Sequence, residues 1–159
     1  MILILILFYC SAPVFALPQD SRAKIHIIAD VSHYNYKTGM SLFEGHVKID
    51  QGTTHITADR LITKNNMQHQ IQEVIAYGAK EQAHYWTLPK EGEKEIHAKA
   101  NIIKFYPIAS NIALEKNVTL IQGENSFQGQ LILYNNNNQT IIVPESNHNR
   151  SVLVYNPEN

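Results

Sequence analysis

The sequence predicts an all-β protein built from stacked antiparallel rungs, and three observations carry that prediction. Beyond Ala16 the chain runs in short alternating segments rich in Ile, Val, Thr and Tyr, the period of two expected of half-buried strands. No stretch shows a sustained period of 3.6 with caps; Asn111 to Lys116 comes nearest, and its counterpart earlier in the chain reads as strand. Finally, the chain repeats itself at a constant offset of 71 residues without a gap, which marks a repeat architecture. A length of 159 residues suits one domain with a real core and leaves no room for a second.

The first segment reads as an export signal. The fifteen residues after Met1 hold no charge and run through the apolar stretch Ile2 to Phe8 and then Val14-Phe15-Ala16. Small residues one and three positions before the cut favour signal peptidase, which places cleavage after Ala16 and leaves residues 17–159 as one domain. The basic opening usual in such a signal is missing, and an uncleaved anchor over Met1 to Leu17 is the alternative, although that stretch is short for a membrane span. Cys10 follows the bulky Phe8-Tyr9 and so does not sit in a lipobox. It is the one cysteine of the chain, so the exported protein has no disulfide and no thiol chemistry.

Strand candidates follow one another with turns between them. Lys24 to Asp30, Val47 to Asp50 and His55 to Asp59 alternate cleanly. Lys37-Thr38-Gly39, Gln51-Gly52-Thr53, Lys64-Asn65-Asn66 and Asn135 to Asn138 are the hairpin candidates. The 71-residue shift lays Ala29-Asp30 on Ala100-Asn101, Tyr34 on Phe105, Phe43-Glu44 on Leu114-Glu115 and Val47 on Val118. It also lays Gln51-Gly52 on Gln122-Gly123, Ile56 on Phe127, Ala58 on Gly129 and Leu61 on Ile132. Small residues recur at Ala29, Ala58, Ala100 and Gly129. Rungs of this length cannot bury an apolar face alone and gain stability by stacking, which leaves an open edge at each end of the body. Alternation puts Ile25, Ile27 and Ala29, then Val47 and Ile49, then Ile56 and Ala58 on the interior face.

Between the two halves, Tyr85 to Glu95 breaks the offset and reads as a hairpin with a charged, solvated tip from Lys90 to Glu95. Trp86 lies on its first arm, and a lone Trp in a β-protein is commonly half-buried core.

Several function classes are disfavoured. Thirteen Lys and Arg against fourteen Asp and Glu give a net charge of −1, which supplies no field to gather nucleic acid. The eight histidines lie at 26, 33, 46, 55, 69, 84, 97 and 148, without His-x-His, His-x-x-x-His or a cysteine partner, so the spacing speaks against zinc. Neither a serine-nucleophile motif nor a glycine-rich phosphate loop is present, so the expectation is a protein that is not an enzyme and needs no cofactor. Three Asn-x-Ser/Thr sequons occur as chance predicts in a chain rich in Asn and Thr.

The stretches Ile28-Ala29-Asp30, Leu42 to Gly52, Ile56-Thr57-Ala58-Asp59, Val74 to Gly78, Gln128 to Tyr134 and Arg150-Ser151-Val152 together resemble the LptA/OstA lipopolysaccharide-transport family. The resemblance covers about residues 24 to 157 and is most specific from Phe43 to Asp59. One departure is Lys116-Asn117 in the place of Gly45-His46. The resemblance implies an elongated, twisted, open β-jelly roll with an apolar groove, located in the periplasm. Residues expected along that groove are Ile25, Ile27, Ala29, Phe43, Val47, Ile49, Ile56, Ala58, Val74, Ala76, Ala100, Leu114, Val118, Leu120, Phe127 and Leu131. Implied partners are the lipid A part of lipopolysaccharide, an inner-membrane LptC-like protein, an outer-membrane LptD-like protein and further copies of the chain joined head to tail.

Three other readings stand beside this one: a membrane-anchored partner of the same pathway, a histidine-dependent jelly-roll enzyme, and a structural stacking protein with a filled core and no ligand. For assembly, the sequence places the two open edges near Lys24 to Ala29 and near Ser151 to Tyr155.

Overall fold

The computed structural model describes residues 22–145 and 151–155, so the export signal expected over residues 1–16 lies outside it. Every element among the described residues is a strand: β1 (His26–Ile28), β2 (Val31–Asn35), β3 (Met40–Gln51), β4 (Thr54–Asn65), β5 (Ile71–Tyr77), β6 (Ala83–Thr87), β7 (Ile96–Ala100), β8 (Ile102–Tyr106), β9 (Asn111–Gln122), β10 (Asn125–Asn135), β11 (Thr140–Ile142) and β12 (Val152–Val154). All pairings are antiparallel.

Four of these strands, β3, β4, β9 and β10, are long enough to serve two layers. The first half of β3 pairs with β2 through Met40 to Glu44, and its second half pairs with β1 through Lys48 to Asp50. Likewise β4 gives residues 60–65 to β5 and residues 55–57 to β6. The same division recurs on β9, which pairs with β8 and then β7, and on β10, which pairs with β12 and then β11. One layer therefore runs β2-β3-β4-β5-β8-β9-β10-β11 and the other β1-β3-β4-β6-β7-β9-β10-β12. Between the layers the ladder slips, at Glu44/Val47 on β3 and at Gly129/Leu131 on β10. These bulges form a spine along which the sheet folds over.

The bulge explains why the chain departs from strict repetition. Gly45 and His46 have φ of 78° and 45°, and Lys116 and Asn117 have φ of 65° and 54°. Both pairs thus spend two residues in the left-handed region to turn the strand. The Asp30 amide donates to the Gly45 carbonyl at 3.0 Å, and the Asn101 amide donates to the Lys116 carbonyl at 3.0 Å. A Cβ at position 45 would collide with the Asp30 carboxylate, so glycine is needed there. Asn101 stands in place of Asp30 in the second repeat, and a lysine occupies the corresponding site.

Under the 71-residue shift β2 falls on β8 and β3 on β9, with identical bounds. The expected hairpin turns at Lys37 to Gly39 and Asn135 to Asn138 are present, each closed by an Asn side chain, Asn35 or Asn135, that accepts from the amides two and three residues on. The core lies between the layers. Ile49, Leu61, Val74, Ala76, Ile103, Leu114 and Ile132 are fully buried there.

Candidate functional site

The interior is made by alternation on shared strands. Val47 and Ile49 on β3, Ile56 on β4, and Val118 and Leu120 on β9 come from the halves that belong to the layer with β1, β6, β7 and β12; Leu114 on β9 and Ile132 on β10 come from the halves that belong to the other layer. Because the two repeats join through β5–β8 in one layer and β6–β7 in the other, the apolar surface continues without a break from one repeat to the next. At the spine, valine faces a small residue across the ladder in both repeats, Val47 opposite Ala58 and Val118 opposite Gly129. A Cβ on Gly129 would approach Val143 Cγ1 to 3.1 Å. At this position of the spine the glycine therefore leaves the room that Val143 takes up.

Of the residues expected along the groove, Val47, Ile49, Ile56, Val74, Ala76, Ala100, Leu114, Val118 and Leu120 belong to the buried cluster. Ile25, Ile27, Ala29, Phe43, Ala58 and Phe127 are partly buried against it. Leu131 is the exception and stands outside that cluster. The register shift between Gly129 and Leu131 reverses the alternation on β10, and Ile132 and Tyr134 take the interior positions instead. Sequence reasoning also passed over Leu61, Tyr85, Ile96, Ala98, Ile103, Phe105 and Ile112, all buried. The shift that lays Leu61 on Ile132 already held the signal for two of the omitted residues.

The walls of this interior are in mutual contact. Apolar side chains on two facing layers bury one another because that removes them from water. Opposite the spine, the far ends of the layers meet around a cavity of about 10 Å³, lined by Gln51, Thr54 and Tyr85 on one side and by Phe105, Pro107, Ser110 and Asn136 on the other. This lip is polar: Thr54 and Thr87 hydroxyls lie 3.0 Å apart in full burial, and the Tyr134 hydroxyl donates to Asn136 Oδ1 at 3.0 Å. Burial, with the Glu93 carboxylate adding to it, pushes the Tyr134 phenol up to about 12.

The outer faces carry the charges. Lys64 bonds Glu73 and Lys104 bonds Glu115, each at 2.6 Å, and each lysine is raised above its ordinary value first by that hydrogen bond. Trp86 is half-buried as expected, but on an outer face, stacked on His55 with ring centroids 5.0 Å apart and tilted against His84 at 4.9 Å. No group of three or more His, Cys, Asp or Glu side chains is placed to hold a metal among the described residues.

Asp59 ties the loop that crosses from β5 to β6. Its Oδ2 accepts the amides of Ala79 at 2.6 Å and Lys80 at 2.8 Å. The Lys80 and Ala79 amides hold its carboxyl below the ordinary value of 3.8. A lowered folded pKa means that this tie is complete above about pH 4 and is lost as pH falls through the folded value. Asp59→Ala is expected to speed amide exchange at Ala79 and Lys80 at neutral pH. The wild type should lose that protection only in acid, and equal exchange in both proteins at pH 7 would refute the assigned role.

The comparisons agree with this geometry. The family model described as "LptA/(LptD N-terminal domain) LPS transport protein" matches residues 26–140. The lipopolysaccharide export system protein LptH of Pseudomonas aeruginosa is 26% identical over 131 residues, covering 82% of this chain and 74% of that protein. LptA of Escherichia coli is 28% identical over 129 residues, covering 80% of this chain and 68% of that protein. The crystal structure of LptH, described as the LptA homologous periplasmic component of the lipopolysaccharide transport device from P. aeruginosa, superposes with a TM-score of 0.80 at 22% identity, covering 88% of this chain and all of that one. With a family match that spans most of the chain and a shared fold of folded-over antiparallel strands, this protein belongs to the LptA/(LptD N-terminal domain) LPS transport family.

Proposed function

We propose that the protein carries lipopolysaccharide through the periplasm by holding its acyl chains between the two layers, without catalysis and without a cofactor. The observation that carries this reading is the apolar interior that runs unbroken through both repeats between two open ends. Each methylene kept from water is worth roughly 0.8 kcal/mol, so a chain of about ten methylenes would cost on the order of 8 kcal/mol if left exposed. Shielding of that size is what a lipid with several acyl chains needs to cross an aqueous compartment. Admission requires the layers to part at the lip, since the walls touch.

That contact is also what a structural protein with a filled core would show, and one experiment separates the two. A photo-crosslinking residue at Ile49 should capture lipopolysaccharide, whereas the same residue at Lys48, on the outer face of the same strand, should not. Equal labelling at both sites, or none at either, would count against the conduit.

The internal junction supports head-to-tail assembly and supplies its register. β1 corresponds to β7 and β12 to β6 in their pairings with the long strands. Within the chain, Trp86 pairs with His97 and His84 with Lys99. Carried through the repeat, Val154 of one copy would pair with His26 of the next, and Val152 with Ile28. The edge residues Ile28, Val152, Leu153 and Val154 are exposed, as expected of a strand left for augmentation. Likewise β11 would pair with β2 of the next copy, as β5 pairs with β8. Cysteines at Val152 and Ile28 should form an intermolecular disulfide, while cysteines at Val152 and Val31 should not. The family's inclusion of an LptD N-terminal domain supports continuation of the same ladder into an outer-membrane LptD-like partner, with an inner-membrane LptC-like partner at the other end.

A further inference from the structure

The outer face of the second layer gathers histidines that lie far apart in sequence. His55 on β4, His84 on β6 and His97 on β7 surround Trp86, brought together because Trp86 opposes both His55 and His97 across neighbouring ladders. Within this cluster His84 Nε2 and His97 Nδ1 stand 3.4 Å apart, with ring planes 25° from parallel. Metal–imidazole bonds of about 2.0–2.1 Å at a tetrahedral angle require two ligand nitrogens about 3.3–3.4 Å apart. From this spacing we propose that His84 and His97 form a two-histidine chelate for a late divalent transition ion such as Cu²⁺ or Zn²⁺, with water completing the coordination.

Two further features prepare the pair. His97 Nε2 lies 3.2 Å from Glu95 Oε2. A carboxylate in that position holds the proton on Nε2 and leaves the Nδ1 lone pair facing His84, the usual backing of a metal-bound imidazole. Burial first, then the neighbouring His97 and Lys99, lower the pKa of His84. Lys99 lies opposite His84 on β7 and opposes a cation, but it is exposed and can turn its ammonium into solvent. Small rotations of the two stacked rings would bring both lone pairs onto one ion. Imidazole suits Cu²⁺, Ni²⁺ and Zn²⁺, and Cu²⁺ should bind most tightly among them.

Trp86 is the one tryptophan of the chain and reports directly, since its ring lies 4.9 Å from that of His84. Protein without a histidine tag is titrated with Cu²⁺ while tryptophan fluorescence is followed. The expected result is a saturable quench at one ion per chain, reversed by excess Zn²⁺ and weakened as pH falls through the imidazole range. His84→Gln and His97→Gln should each abolish the saturable step, and Glu95→Gln should weaken it by about tenfold. His33→Ala, on β2 of the other layer, should leave it unchanged, with far-UV circular dichroism confirming that every variant is folded. Absence of a saturable quench in the wild type, a quench that survives His84→Gln, or one removed by His55→Ala alone would overturn the proposal. Any folded double variant with both residues replaced that still takes up one ion would do the same.

Discussion

Ile49→Glu is expected to lower the stability of the protein by about 4 kcal/mol or more, whereas Lys48→Glu, one residue away, should cost under about 1 kcal/mol. Ile49 is fully buried among the residues of both layers, and a carboxylate placed there has neither water nor a cation as partner. It must either be buried charged or take up a proton, and both states are costly. Lys48 points outward, its side chain about half exposed, and its ammonium lies 3.2 Å from the Asp50 carboxylate, where a lost surface ion pair is worth little. A domain of this size has about 5–15 kcal/mol in reserve, so the first variant should be marginal and the second close to wild type. Urea unfolding monitored through Trp86 provides the measurement. Lipid capture adds the second half of the test: loss in any folded Ile49 variant together with retention in Lys48→Glu is expected, and equal losses in the two would mean that the interior face has been misassigned.

Deleting residues 151–159 is expected to leave a folded monomer that still takes up lipid but no longer forms long oligomers. β12 contributes three residues, Val152–Val154, all exposed, and its ladder with β10 involves only Ser126 to Gln128. Removing it therefore sacrifices little buried area. What it removes is the edge that would meet β1 of the next copy. The two ends of the body differ, so the contact is heterologous and does not close on itself, and the wild type should lengthen with concentration. Sedimentation across a concentration series distinguishes the outcomes. Long oligomers that persist in the shortened chain would exclude this edge as the junction.

The sequence carried the fold through its repeat. Apolar positions, the Gln-Gly turn and the small residues stay in phase over the 71-residue shift, and β3 and β9 begin and end in register with it. Alternation then assigns faces correctly wherever the ladder is regular, as at Val47, Ile49 and Ile56. It fails after a bulge, because one skipped residue inverts every face beyond it, and for that reason alternation counted from Phe127 puts Leu131 inward while Ile132 takes the interior position. Lys116-Asn117 looks like a departure in sequence because a bulge constrains dihedral angles before it constrains residue type. The histidine cluster had no sequence mark at all. His55, His84 and His97 meet only through the register of three strands, and spacing rules for metal ligands see a single helix or strand at a time.

The sharing of β3, β4, β9 and β10 by both layers has a mechanical consequence. Two leaves joined by continuous covalent strands cannot slide past one another, so the motion left to them is rotation about the line of bulges. Such a hinge opens as a wedge, narrow at the Ala58 and Gly129 side and wide at the Thr54 and Asn136 side. A tapered guest fits a wedge in one orientation, thin end first, and the depth to which it sinks sets the angle. Because each leaf is hydrogen-bonded along its whole length, an angle imposed at one repeat is felt by the other, and a guest already seated would hold the adjoining stretch ajar for the next.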